Sequence, residues 1–313
     1  PARIAIKEDG YELLPSAVSI GGGTLRLSGD YGAGMSLKAR LEGLDVAMAN
    51  AFMPGLGLGG TVNGSVDFAQ ENAASFPQAD ARLTLANFTR TSSSTVSEPV
   101  NMNLVGKLLA DGAEVRSVVR RRGSVIGRMA ANLRPLPASE GPWMARLLEA
   151  PLSGGIRYNG PAATLFSFAG QPGQSLTGSV GLAADFSCKL MDPCLKGVVK
   201  GRGLTYENQA YGTRLSEMDL EGAFTGDRFA LRSLNGKAGD GTIKANGFVS
   251  LSAAGGYPMD IKVELDDARL AKSSSLSASA SGSLRFQKKP SETPLLSGEI
   301  RLPETRYQIV MDS

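Results

Sequence analysis

The stretch from residue 215 to residue 265 decides the fold of this chain. It contains Leu215-Ser-Glu-Met-Asp-Leu-Glu-Gly-Ala-Phe224, Phe229-Ala-Leu-Arg-Ser-Leu234, Ile243-Lys-Ala-Asn-Gly-Phe-Val-Ser-Leu251 and Met259-Asp-Ile-Lys-Val-Glu-Leu265. Each piece alternates apolar with polar residues and is followed closely by Gly, Asn, Asp or Pro. Because successive side chains of a strand point to opposite sides, this pattern predicts antiparallel strands with one apolar and one polar face.

The composition agrees with a protein made of many short strands. The chain has 313 residues, of which 42% are hydrophobic but only 6% aromatic, with 39 Gly and 16 Pro. Such a profile favours strands joined by turns over a helical bundle. The net charge of +3 is small for this length and argues against a dedicated nucleic-acid partner.

Two related halves of strands are predicted, interrupted by short helices. Residues 102, 104, 106, 116, 117 and 123 recur 116 positions later as the same residue types, which indicates an internal repeat. We expect a first repeat over 1–140, with a short helix at about 45–53. A second repeat, continuous with the first, covers 141–313, with short helices at about 142–150 and 161–169.

The chain lacks the residues on which many enzymes depend. It contains no histidine, which excludes Ser-His-Asp and Cys-His catalysis and histidine-ligated metals. Carboxylate chemistry stays open, but no pair of carboxylates stands out. We therefore expect neither a catalytic residue, nor a metal site, nor a cofactor. The chain begins at Pro1 without a signal peptide or an apolar run long enough to cross a membrane, and we interpret it as a segment of a longer protein.

Two local features each leave two alternatives. Cys188 and Cys194 could close a small disulfide loop in an oxidising compartment, or could be unpaired thiols. Arg116 and the run Arg120–Arg122 could form a solvated hairpin turn, or could contact anionic headgroups or an acidic partner.

The apolar face of the predicted strands is the candidate functional surface. In a β-sandwich an opposing sheet would fill it, whereas a chain with few aromatic residues and many Gly, Ala and Ser could leave a groove for apolar ligands. The pattern alone leaves both alternatives open. The inward-facing candidates are Val62, Val66, Phe68, Leu83, Leu85, Met102, Leu104, Met218, Leu220, Phe224, Ile261, Val263, Leu265, Leu284 and Phe286.

Several glycine-rich phrases in a fixed order resemble the TamB family and the wider AsmA-like, bridge-like lipid transport group. They are Phe52–Phe68, Ser175–Leu182, Asp192–Gly201, Tyr211–Leu220 and Asp240–Gly247. The resemblance covers most of the chain, is strongest from about residue 170 onward, and suggests a segment from the C-terminal half of such a protein. The family pattern does not call for the cysteine pair.

The resemblance implies an all-β fold called a β-taco. This is an elongated, U-shaped sheet of short, mostly antiparallel strands with an apolar groove and a few short helices. It further implies a periplasmic segment of a protein anchored in the inner membrane of a Gram-negative bacterium. The implied partners are phospholipids, a TamA-like outer-membrane barrel and nascent outer-membrane proteins. The resemblance implies no cofactor, although phospholipid or detergent could be bound.

Three functional hypotheses follow from the sequence and the resemblance. The first is a groove that carries phospholipid between the inner and outer membranes and supports outer-membrane biogenesis. The second is a chaperone or scaffold for outer-membrane proteins such as autotransporters, acting by strand augmentation in protein secretion. The third is an adhesin or spacer with a filled core.

Overall fold

Antiparallel strands make up most of the chain in the computed structural model, which describes residues 3–51, 57–92, 95–137, 141–169, 173–252, 255–272, 276–302 and 305–307. The chain divides into two compact units. The first unit comprises 1–157 and 185–193, and the second comprises 158–184 and 194–313.

The first ten strands are β1 (Arg3–Lys7), β2 (Gly10–Ile20), β3 (Gly23–Tyr31), β4 (Met35–Asp45), β5 (Leu58–Gln70), β6 (Gln78–Ser92), β7 (Thr95–Val96), β8 (Val100–Leu109), β9 (Gly112–Arg121) and β10 (Ser124–Leu133). The next ten are β11 (Leu152–Pro161), β12 (Gln174–Cys188), β13 (Pro193–Asn208), β14 (Thr213–Gly226), β15 (Arg228–Ala238), β16 (Gly241–Ser250), β17 (Met259–Lys272), β18 (Leu276–Lys288), β19 (Leu295–Arg301) and β20 (Thr305–Tyr307). A 3-10 helix covers Val46–Ala51, and two α-helices follow, α1 (Trp143–Glu149) and α2 (Ala162–Ala169).

Strands pair antiparallel with their neighbours in chain order. In the first unit this order runs from β1 to β10, except that the two-residue β7 caps the end of β6, so that β6 also pairs with β8. In the second unit it runs from β13 to β19, and β20 pairs with β18. Short turns suffice for such a meander. The prediction of an all-β, antiparallel fold with a few short helices is confirmed, and the open sheet is consistent with a β-taco.

Most of the long strands contain a β-bulge, a feature that strict alternation of apolar and polar residues does not predict. At five of these bulges one residue has a positive φ between 45° and 61°, and the ladder then resumes with one extra residue. A bulge bends its strand. Its extra residue also shifts the alternation, so that the two residues flanking the bulge lie on the same face of the sheet although they are three positions apart. The five residues are Gly43, Asn87, Gly203, Glu217 and Asp267.

Four of these five bulges are held by the same kind of hydrogen bond. The backbone N–H of the positive-φ residue donates to a side-chain oxygen on a strand paired with its own, which satisfies a donor that has left the ladder. The four pairs are Gly43 with Asn63 (2.7 Å), Asn87 with Asn101 (2.9 Å), Gly203 with Asp219 (3.1 Å) and Asp267 with Ser281 (2.8 Å).

The short helices cover parts of the apolar faces. In the first unit, Leu147 of α1 is buried against Ala113, Leu133 and Leu152, and Trp143 packs edge-on against a nearby phenylalanine ring. All three predicted helices are present, although the one predicted at about 45–53 is a 3-10 helix and its last two residues lie outside the described part of the chain.

In the second unit α2 packs on β13 and β14. Its first residue, Ala162, is buried with Leu204 and Met218, and Phe166 lies edge-on to Tyr206 with ring centroids 6.5 Å apart. The boundary between repeats at residue 140 remains a prediction.

Both cysteines are disulfide-bonded. Cys188 ends β12 and Cys194 lies at the start of β13, so the structure has the bonded form of the two alternatives left open by the sequence.

Candidate functional site

A continuous apolar row crosses five strands of the second unit. Leu220 of β14 is paired with Leu234 of β15, which is paired with Ala245, then Val263 and then Leu284 of β18. Directly paired residues point to the same side of the sheet, at about 4.8 Å per strand. The row therefore forms an unbroken apolar strip about 20 Å long.

The neighbouring row contains two glycines among three large side chains. It runs through Gly222, Leu231, Gly247, Ile261 and Phe286. Glycine leaves shallow depressions that adjacent side chains can enter. A Cβ added at Gly222 would lie 2.3 Å from Cζ of Phe229, so the phenylalanine ring already occupies that depression.

The first unit carries the same kind of surface. One row consists of Val62, Leu85, Met102 and Val119, and a second begins Gly64, Leu83, Leu104 and Ser117. Val66 and Phe68 of β5 lie opposite Ala81 and Ala79. The structure therefore brings the candidates of each unit together on one face of its sheet.

The fifteen candidates differ in how far they are covered. Met218 and Leu265 are buried, with 4% and 6% of their surface exposed, and belong to hydrophobic clusters. The other thirteen are partly exposed. Partial exposure is typical of a surface that lines a groove, whereas residues filled in by an opposing sheet are normally buried. Met218 and Leu265 are thus the two buried members of the fifteen, whereas Leu220, Val263 and Leu284 pack against their clusters and stay partly exposed.

Substitutions at Gly222 and at Gly106, which lies 116 positions earlier, test how open the apolar face is. Gly222→Val is expected to lower the free energy of unfolding by about 1–3 kcal/mol, because the new side chain must displace Phe229. Gly106→Val is the matched control, since nothing lies within 4 Å of a Cβ at Gly106. Urea denaturation of both variants measures the difference. Equal losses of stability would show that the face above Gly106 is filled.

The opposite face of the sheet is polar and carries ion pairs. Arg40 binds Asp67 at 2.7 Å, and Arg285 makes two hydrogen bonds, of 2.9 and 2.6 Å, to Asp260. Hydrogen bonds from these arginines lower the pKa of Asp67 and of Asp260 below the usual range. These ion pairs are exposed to solvent. They therefore contribute little to the stability of the fold, but they make this face polar.

The apolar face of the first unit continues onto β1 to β4, where Leu37 is paired with Phe68, and these positions were missing from the candidates predicted from the sequence. A pocket of about 220 Å³ is lined there by Ile4, Tyr11, Leu13, Tyr31, Met35 and Leu37. Among these, Ile4, Tyr11 and Tyr31 are more than half exposed. The alternation of apolar and polar residues in 3–6 and 35–41 indicates Ile4, Met35 and Leu37, whereas Tyr11, Leu13 and Tyr31 lie outside these stretches.

Other kinds of site are not found among the described residues. No cluster of Cys, Asp and Glu in the described ranges could hold a metal ion. Within those ranges, no helix has both the length and the apolar character needed to cross a bilayer.

One comparison with known proteins gives a match. Residues 232–313 match the family model described as the TamB C-terminal domain. The matched segment begins within β15 and includes Ile261, Val263, Leu284 and Phe286 of the candidate face. Searches of curated proteins and of solved structures gave no significant match. The family match shows that residues 232–313 are similar to the TamB C-terminal domain.

Proposed function

We propose that the apolar faces form a groove for the acyl chains of phospholipids, in a TamB-like periplasmic protein that carries lipid between the inner and outer membranes. The observation that carries this proposal is the partial exposure of thirteen aligned apolar side chains. The TamB family is a transport and assembly family, and the role requires no catalytic residue.

The free energy of acyl-chain burial is compatible with a face along which lipid moves. Transferring an acyl chain from water to an apolar surface gains about 0.8 kcal/mol for each CH2 group that is buried. Since aliphatic residues and glycines recur from strand to strand, neighbouring positions along the face offer similar surfaces. A lipid would then move along the face without leaving it and without crossing a strongly preferred site.

A second candidate function is strand augmentation of nascent outer-membrane proteins, in concert with a TamA-like barrel. The observation that favours it is β19, whose residues Leu295–Arg301 are all exposed and which pairs with β18 alone among the described strands. An exposed edge strand can hydrogen-bond to another extended chain.

Photocrosslinking distinguishes the two functions. A photoreactive amino acid at Leu85 or Val263, on the apolar face, is expected to give phospholipid adducts in periplasm-expressed protein. The neighbouring positions Thr84 and Glu264 lie on the polar face and serve as controls. Adducts to polypeptide from β19, without lipid adducts from the apolar face, would favour strand augmentation and contradict the lipid groove.

A further inference from the structure

The polar face of the first unit carries arginines interleaved with exposed valines. On strands β6, β8 and β9, Arg82 is paired with Val105, which is paired with Arg116. Two residues after Arg116 on β9, Val118 is paired with Arg128 of β10. These five residues form what we call the Arg/Val patch, which Arg120 and Val125 extend towards the β9–β10 turn.

Carboxylates do not neutralise this patch. Arg82 and Lys107 share a single carboxylate, that of Asp80, at 3.0 and 3.8 Å. Arg116 and Arg128 are exposed, and neither forms an ion pair within the described ranges.

Arg120 donates to the neutral side-chain oxygen of Asn103 at 2.7 Å rather than to an acid. Several cations of the second unit are paired with acids, as in Lys237 with Glu217 at 2.7 Å. The patch therefore has an excess of positive charge that an anionic partner would complement.

The valines indicate which kind of anionic partner fits. Val105 and Val125 are 37% and 39% exposed on a face that is otherwise polar. An acidic peptide would be held by the arginines alone and would leave these side chains in water. A bilayer offers phosphates to the arginines and, just beneath them, an apolar boundary to the valines.

We propose that the Arg/Val patch docks on the surface of a bilayer that contains anionic phospholipid, with its arginines at the phosphates. This interaction lies on the opposite face of the sheet from the proposed groove, and it does not depend on lipid entering that groove.

Vesicle co-sedimentation of the 313-residue chain tests the proposal. Binding is expected to vesicles of phosphatidylcholine with about one-third phosphatidylglycerol and to fall with added salt. Arg116→Glu/Arg128→Glu should reduce partitioning at least about tenfold, since each basic residue near an anionic surface contributes on the order of 1 kcal/mol. Arg232→Glu, at the position 116 residues after Arg116, is the control and should bind as the parent does.

A second pair of substitutions isolates the apolar contribution. Val105→Ser/Val125→Ser keeps every charge and is expected to weaken vesicle binding, whereas binding to soluble polyglutamate should not change. The proposal is overturned if the arginine reversals leave vesicle binding unaltered. It is equally overturned if polyglutamate binds the chain while phosphatidylglycerol vesicles do not.

Discussion

Aspartates placed at Leu220 and Val263 are expected to abolish phospholipid binding by the second unit. Both side chains lie in the same apolar row and both are partly exposed, so the new carboxylates stay hydrated in the empty protein. An acyl chain that binds along the row would have to displace the water that hydrates these two carboxylates. Because the cost of burying an unpaired charge amounts to several kcal/mol, bound lipid should fall at least about tenfold. Quantitative lipid mass spectrometry of the purified Leu220→Asp/Val263→Asp variant gives the result.

The control places the same two carboxylates on the polar face. Thr225→Asp/Lys262→Asp alters exposed residues beside Phe224 and Val263, and should retain lipid. Circular dichroism establishes that both variants keep their β structure. Undiminished lipid in a folded Leu220→Asp/Val263→Asp protein would contradict the groove.

Leu265→Ala is expected to produce the opposite pattern, with a large loss of stability and little loss of lipid. Leu265 is buried in a cluster with Ala238, Ala268 and Ala280, and all three of these alanines are 0% exposed. Removing a buried leucine side chain leaves a cavity that costs about 2–5 kcal/mol. Urea unfolding measures this loss, and lipid analysis of the same preparation measures binding.

Val263→Ala is the matched comparison on the same strand. Val263 is partly exposed, so its truncation leaves a smaller cavity and should cost about 1 kcal/mol or less. If the two variants lose equal stability, the distinction between a filled core at Leu265 and an accessible face at Val263 is wrong.

Period-two alternation was sufficient to predict the strands and their faces. In β17, Met259, Ile261, Val263 and Leu265 share the apolar side, and their partners in β16 and β18 include Val249, Ala245, Phe286 and Leu284. Local composition likewise predicted the helices, because Pro142 precedes α1 and Pro151 follows it soon after its end. The family resemblance agrees with the match over 232–313.

The bulges could not be predicted in this way. Leu265 and Ala268 lie on the same face although they are three residues apart, because Asp267 adopts a left-handed conformation between them. Alternation assigns such residues to opposite faces. The acceptor that holds this bulge, Ser281, lies on the next strand, so the decisive contact is not local in the sequence.

Burial within the candidate face was also beyond the sequence pattern. Met218 and Leu220 are both apolar residues of β14, yet Ala162 of α2 is packed against Met218 while Leu220 remains partly exposed. Which residues a short helix covers depends on tertiary packing. The assignment of the fifteen candidates to a lipid groove therefore remains a prediction.

Lipid mass spectrometry of the chain itself tests the groove most directly. The 313-residue protein would be expressed in a periplasm and purified without detergent. We expect phospholipid to co-purify with the folded protein, held on the apolar rows through Leu220 and Val263. A stable, monodisperse and lipid-free protein that also takes up no phospholipid from added vesicles would contradict the groove.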